Sequence, residues 1–245
     1  MVLVCRSGGD VGEKDRMPVA IVTGASRGLG RAVAVDLARA GWSLVINGRS
    51  EGPLDDVAGS ITDVGGTVDV VVGDVAGAEH RASLVRSAER LGSLDLLVNN
   101  ASSLGPSPLP RLERYPLEAL RDVYEVNVVA PLALIQLALP LLRRSGGVVV
   151  AISSDAAVEA YEGWGGYGSS KAALDQLHRV LAAEETELKV YAFDPGDMRT
   201  DMHQAAFPGE DITDRPSPES VVPSLRALVA SGRPSGRYRT GEVLA

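Results

Sequence analysis

The apolar residues of this 245-residue chain fall into short unbroken runs separated by stretches with a helical period. Val19-Ala20-Ile21-Val22 contains no polar position, which is the pattern of a strand covered on both faces. Behind it, Leu29, Val33 and Leu37 recur at helical spacing and stop near Gly41, a residue suited to ending a helix. Leu44-Val45-Ile46 repeats the strand pattern. A polar helix over about 54–64 then leads to a strand from Val68 to Val72, and a helix over about 79–91 leads to a strand from Leu94 to Val98. Prolines at 106, 108, 110 and 116 mark residues 103–116 as a loop. A long helix is predicted over about 117–143, bent near Asn127 and Pro131. The strand Val148–Ile152 follows, then a loop to Trp164, a helix striped by Leu174, Leu177 and Leu181, and a strand from Val190 to Phe193. Pro195-Gly196 breaks the chain after it.

Strand and helix alternate throughout, without repeat or linker. That predicts one α/β domain over residues 18–245: a Rossmann-type, doubly wound, mostly parallel sheet with helices on both faces. Residues 1–17 carry glycines and charges with no period and read as a disordered tail. Ligands of such sheets bind beyond the carboxyl ends of the strands. The glycine-rich turn after Val22, Asp74, Asn99, Ser154 and Pro195 all fall at such ends.

Composition narrows the possibilities. The net charge of −8 and pI near 5.0 argue against non-specific binding to nucleic acid or to an anionic membrane. Cys5 is the only cysteine, and three scattered histidines offer no metal cluster, so neither a disulfide nor a metal site is expected. The apolar stretch from Val128 to Leu142 is interrupted by Pro131, Gln136 and Pro140 and falls short of the roughly 20 residues of a spanning helix. The opening Met1-Val2-Leu3-Val4-Cys5 is too short for a secretory core. Cytoplasmic residence is the expectation.

The candidate chemistry sits at the strand ends. Thr23-Gly24-Ala25-Ser26-Arg27-Gly28-Leu29-Gly30 joins a strand to a helix, and glycines there let the backbone approach phosphate at the helix N-terminus. After the second strand, Asn47-Gly48-Arg49 supplies no carboxylate for a ribose 2′-hydroxyl. Arg49, with Arg27 converging from the glycine turn, suits a 2′-phosphate, so the expected cofactor is NADP(H). Tyr167 and Lys171 are one helical turn apart on one face, where an ammonium can favour a phenolate. Ser154 brings a second hydroxyl from a strand end. Together these are the parts needed to polarise a carbonyl and hand it a proton.

With those residues assembled, the chain resembles the short-chain dehydrogenase/reductase family over nearly all of residues 18–244. Thr23-Gly24-x-x-x-Gly28-x-Gly30 is similar to the family's cofactor turn and Asp74-Val75 to its adenine-contacting pair. Asn99-Asn100-Ala101 is similar to the motif after the fourth strand, and Pro195-Gly196 with Thr200 to the stretch that contacts the nicotinamide carboxamide. Asn127, Ser154, Tyr167 and Lys171 match the catalytic tetrad. The resemblance implies that Tyr167 is the acid/base and that Lys171 lowers its pKa and holds the nicotinamide ribose. Ser154 would orient the substrate oxygen, and Asn127 would hold a water in the proton relay. It implies an oxidoreductase acting on a carbonyl/alcohol pair, here with NADP(H). Trp164, Tyr161, Met202 and Phe207, with no arginine or lysine flanking Ser154, point to a small, mainly apolar ketone, aldehyde or diketone, and a homodimer or homotetramer is expected. A cofactor-binding sensor or scaffold is the rival reading, and it has no use for the acid/base tyrosine.

The chain departs from the family's pattern at three places. Ser102 replaces the usual glycine, a change expected to cost little. The interval from Ala183 to Lys189 is short, and the usual tail after the last strand is missing at Gly241–Ala245. With Asp201-Met202, the shortening is similar to the sepiapterin reductase and diketone reductase subgroup. Glu159, Tyr161 and Trp164 are expected to line a pocket, and Met202 and Phe207 to belong to a mobile cover. His80 and His178 are expected on helix surfaces, while His203 follows the nicotinamide stretch.

Overall fold

The structure, a computed structural model, describes residues 16–243. Residues 1–15 of the predicted tail lie outside the described residues. Arg16 does not: its guanidinium spans both oxygens of Asp95 (2.7 and 2.8 Å) and also meets Ser93. Asp95 in turn accepts the Val19 amide at 2.8 Å.

Seven strands form one parallel sheet: β1 (Val19–Val22), β2 (Ser43–Gly48), β3 (Thr67–Val72), β4 (Leu96–Asn99), β5 (Val148–Ile152), β6 (Lys189–Asp194) and β7 (Gly236–Arg239). Their spatial order is β3-β2-β1-β4-β5-β6-β7. The winding therefore reverses between β1 and β4, paired from Ala20↔Leu96 to Val22↔Val98, and opens a crevice at their carboxyl ends. The unbroken apolar runs reflect two cores. Ala20 and Val22 face one with Leu29, Val33, Leu37, Leu54 and Leu225. Val19 and Ile21 face the other with Leu84, Leu134, Leu141 and Leu181.

The first core is covered by α1 (Gly28–Arg39), α2 (Glu51–Thr62) and, later in the chain, α8 (Pro218–Ala230). The second is covered by α3 (Ala78–Arg90), α5 (Ala130–Ser145) and α6 (Gly165–Glu184). The predicted long helix is α4 (Leu117–Tyr124), a π turn over Glu125–Val129, and α5, continuous over Leu117–Ser145. In a regular helix the residue 127 carbonyl would accept an amide hydrogen from residue 131. Pro131 has none, and the backbone widens there. The widened turn buries the Asn127 side chain completely. This helix is long and apolar enough to cross a membrane, with an 18-residue window of mean hydropathy 1.8. Half of that window, however, is buried inside the fold. Beyond Pro195, where the hydrophobic pattern assigned no element, come α7 (Asp201–Ala206), α8, β7 and α9 (Thr240–Val243).

Candidate active site

The glycine turn is shaped by close contacts. Gly24 has φ of +63°, and a Cβ there would come within 2.8 Å of the Ala101 Cα. A Cβ at Gly30 would overlap the Gly24 carbonyl and the Asn100 amide. Asn100 explains this tightness: its Nδ2 donates to the Thr23 and Gly24 carbonyls at 2.8 and 3.0 Å. The Asn100 and Ala101 amides both donate to Thr23 Oγ1 at 3.0 Å. Thr23 and Asn100 thus lock the turn to the end of β4, a job the sequence motif did not assign to them. Helix α1 begins with no side-chain cap at Arg27 and no acid in its first turn. Its first amides and its positive dipole end are therefore available to an anion. Asn99 is buried with its Nδ2 unpartnered. These features suit a dinucleotide phosphate.

At the end of β2 the Asn47 side chain is absorbed structurally. It accepts the Gly24 amide at 3.3 Å and donates to the Gly73 carbonyl at 2.9 Å and to His80 Nε2 at 2.7 Å. His80, expected on a helix surface, is partly buried over Gly73 instead, and burial lowers its pKa. Arg49 is exposed at the strand end, and Gly48 packs on Ser26. Arg27 lies against Asp201 at the start of α7, at 3.1 Å with both side chains exposed, so the pair is weak. Asp74 is exposed and accepts the Ala76 amide at 2.9 Å, while Val75 is buried. Gly196 has φ of +74° and its amide meets Asp194 at 3.0 Å. Thr200 caps α7 by accepting the His203 amide at 3.2 Å and lies beside Gly28.

The four tetrad candidates converge. Helix α6 buries Tyr167 and Lys171 side by side, with Nζ 5.4 Å from the tyrosine ring centroid. That ammonium donates to the Ile152 carbonyl at 2.7 Å, and burial lowers its pKa to about 8 while Asp175 opposes the shift. Burial dominates at Tyr167 too and raises its pKa. The Ser102 and Ser154 hydroxyls pull the other way, and Asp155 and Asp194 add to the rise. Ser154 Oγ donates to Asp155 at 3.0 Å and accepts the Ala156 amide at 3.2 Å. Asn127 is fully engaged. Its Nδ2 donates to Ser103 O and Ser170 Oγ, both at 2.9 Å, and its Oδ1 accepts the Ser103 amide at 2.7 Å and Ser102 Oγ at 3.1 Å.

Behind these residues lies a charged cluster that no motif announces. Arg237 on β7 donates to Asp175 at 3.1 Å, to Asp194 at 2.7 Å and to the Ser154 carbonyl at 2.9 Å. Both carboxylates are buried, with side-chain exposures of 4% and 3%. One arginine so ties the serine strand end, the stretch before Pro195 and the turn after Lys171. His178, expected at the surface, is buried one turn further on. Its ring bonds the Leu174 carbonyl through Nδ1 at 2.9 Å, and burial lowers its pKa to about 4.

Over the phenol sits an apolar cluster of Leu104, Leu109, Trp164, Met202 and Phe207. Trp164 packs edge-on to Tyr167 at 5.7 Å and tilts against Phe207 at 5.9 Å, so the expected pocket wall and cover touch. Tyr161 donates to Asp155 at 3.0 Å and is half exposed, and Glu159 lies exposed beside that loop. Among the described residues no group of three or more His, Cys, Asp or Glu side chains could hold a metal ion.

The family model described as short chain dehydrogenase matches residues 18–211. Mouse sepiapterin reductase is 36% identical over 201 residues, covering 77% of each chain. The uncharacterized oxidoreductase YciK of Escherichia coli K12 is 35% identical over 231 residues, covering 91% of this chain and 89% of its own. Among solved structures, a short chain dehydrogenase of Escherichia coli CFT073 complexed with NADPH superposes with a TM-score of 0.85 at 32% identity. That match covers 94% of this chain and 99% of the other.

Proposed function

The chain belongs to the short-chain dehydrogenase family of NAD(P)-dependent oxidoreductases, and we propose that it reduces a small, mainly apolar carbonyl compound with NADP(H), Tyr167 acting as the acid. The observation that carries this reading is Tyr167, buried beneath apolar side chains with the Lys171 ammonium 5.4 Å from its ring centroid. NADPH, when bound, supplies the hydride; the rest is work for the protein's own groups. The Gly24–Gly30 turn and the open start of α1 would hold the pyrophosphate, and Arg27 and Arg49 the 2′-phosphate. Arg27 can leave Asp201 at little cost because that pair is exposed. Asn99, Pro195, Gly196 and Thr200 border the same crevice.

Burial keeps the Tyr167 phenol protonated, which is the form a reductase needs at the start. As the substrate oxygen gains charge, the phenol hands it a proton and Ser154 donates a hydrogen bond. Lys171, with its pKa lowered to about 8, lies close enough to share in resupplying that proton. The lining explains the substrate class. Leu104, Leu109, Trp164, Met202 and Phe207 are apolar, and the group next to Ser154 is the carboxylate of Asp155. A carboxylate-bearing substrate would be repelled by that carboxylate.

Assembly belongs to the same reading. Val129 and Leu137 on the long helix and Val180 on α6 stand 43–45% exposed beside a shallow apolar groove lined by Leu132, Leu177 and Leu181. Two copies can bury this face about a two-fold axis. Cytoplasmic residence goes with a cofactor drawn from the cytoplasmic pool.

The test is a screen of ketones, aldehydes and diketones with NADPH, followed by Tyr167→Phe on any accepted compound. The variant should lose at least about 10²-fold in kcat while NADPH affinity changes only several-fold. Near-normal turnover by Tyr167→Phe would remove the tyrosine from the mechanism.

A further inference from the structure

We propose that Arg81 is a positioning residue for the adenine end of the crevice, setting the Asp74 carboxylate to accept the exocyclic amine of the base. The inference rests on Asp74-Val75 as the adenine-contacting pair and adds a residue that no motif assigns.

Helix packing alone does not call for an arginine here. Arg81 lies close to the start of α3, where a cation opposes the helix dipole, and it is buried on the same face as Leu84 and Ala88. An apolar side chain would fill that position without the cost of burying a charge. The guanidinium is instead spent on the loop between β3 and α3. Its Nη1 donates to the Val75 carbonyl at 2.7 Å and to the Ala76 carbonyl at 2.8 Å.

Those two bonds decide which way the loop's amides face. In a trans peptide the N–H points opposite to the C=O of the same plane. Holding the Val75 carbonyl towards Arg81 therefore turns the Ala76 amide away from it, and that amide donates to Asp74 Oδ1 at 2.9 Å. Holding the Ala76 carbonyl does the same for the Gly77 amide, which donates to the Asp74 carbonyl at 3.0 Å. The start of the loop is anchored separately. Asn47 donates to the Gly73 carbonyl at 2.9 Å, and the His80 ring leaves no room for a Cβ at Gly73. Asp74 is exposed, yet its Oδ1 is committed to Ala76 and the carboxylate is held in one orientation. Its Oδ2 takes no part in that bond and remains an acceptor, the complement of an amine. Arg81 thus acts through Asp74 and itself touches no part of the base.

The experiment is a fluorescence titration with NADPH and with reduced nicotinamide hypoxanthine dinucleotide phosphate, in which an oxo group replaces the exocyclic amine. Wild type should bind NADPH about tenfold more tightly than the analogue, the worth of one hydrogen bond to a charged group. Arg81→Met should bring that ratio to within about twofold of unity by weakening NADPH and sparing the analogue. Asp74→Ala should do the same, and the double variant should go no further. A purely structural role would weaken both cofactors alike and leave the ratio as it is in wild type. If Arg81→Met folds poorly, Arg81→Gln keeps a donor for one carbonyl and should give an intermediate ratio. A wild-type ratio in a folded Arg81 variant, or a wild-type protein that does not distinguish the two cofactors, overturns the proposal. The titration needs no carbonyl substrate, so it judges Arg81 even if every carbonyl tested is refused, a result that would instead count against the reductase reading.

Discussion

Replacing Arg237 with methionine should destabilise the fold far more than a surface change. The guanidinium is 15% exposed and bonds two carboxylates and one carbonyl, all at 2.7–3.1 Å. Methionine keeps much of the volume and none of the donors. Removing one partner of a buried ion pair costs about 3–5 kcal/mol, because the other charge stays buried. Asp194 retains Arg239 at 3.3 Å and the Gly196 amide at 3.0 Å, so it is only partly orphaned. Asp175 bears the main loss, since its Oδ1 already has no partner. The lower end, about 3 kcal/mol, is the expected cost. For a domain of this size that is a fall of roughly 6–12 °C in Tm.

The pH dependence follows from Asp175. Burial raises its pKa, and Arg237 partly offsets the rise. A carboxyl raised on folding is favoured when protonated, so its penalty is absent below the unfolded pKa and grows as pH rises through the folded one. Loss of Arg237 pushes Asp175 higher still. The deficit of Arg237→Met should therefore shrink as pH falls towards the ordinary carboxylate range. Asp175→Asn in the same background should recover a large part of it, measurable as a coupling in urea melts. A single variant within about ±0.5 kcal/mol of wild type, or a double variant no better than the single, would refute the account.

Other expectations follow from the same contacts. Gly30→Ala should cost roughly 1–3 kcal/mol and weaken NADPH binding, because its Cβ has no room between Gly24 and Asn100; unchanged binding by fluorescence titration would sink this. Arg49→Asp should move the kcat/KM preference from NADPH towards NADH, and a wild type that already favours NADH would defeat the assignment. Light scattering should find at least a dimer at micromolar concentration, with Leu137→Arg shifting it towards monomer; a monomeric wild type is the contrary result.

Most of the sheet was legible because its signal is local. A strand buried on both faces is an unbroken apolar run, and β1 and β5 emerge at the predicted residues. The strand ends then collect the cofactor and tetrad candidates by topology alone. The bend at Asn127 was legible for the same kind of reason, since Pro131 removes one backbone donor. The region after Pro195 was not. Its helices are short or interrupted, and β7 (Gly-Arg-Tyr-Arg) is too polar to read as a strand until Tyr238 and Arg237 are seen packing.

The burial of the polar residues that follow Lys171 on α6 was missed for a different reason. Lys171, Asp175 and His178 are all within 3% of complete burial. They continue the face begun by Tyr167 at intervals of four, four and three, so the period was present in the sequence. Leu174, Leu177 and Leu181 carry a competing apolar stripe along the same helix, and a hydrophobic reading turns that side inward and leaves the charges to solvent. The covered face is in fact the polar one, packed against the strands, while Leu177 on the apolar side stays partly exposed. What decides between them is Arg237, 62 residues beyond Asp175. Without its charge a buried aspartate on this face would be a penalty without return. A polar stripe in phase with a catalytic pair therefore calls for a search for the distant cation before it is assigned to water. In this chain that cation also holds the carbonyl of Ser154, so the residue that makes the buried charges tolerable fixes the serine strand end as well.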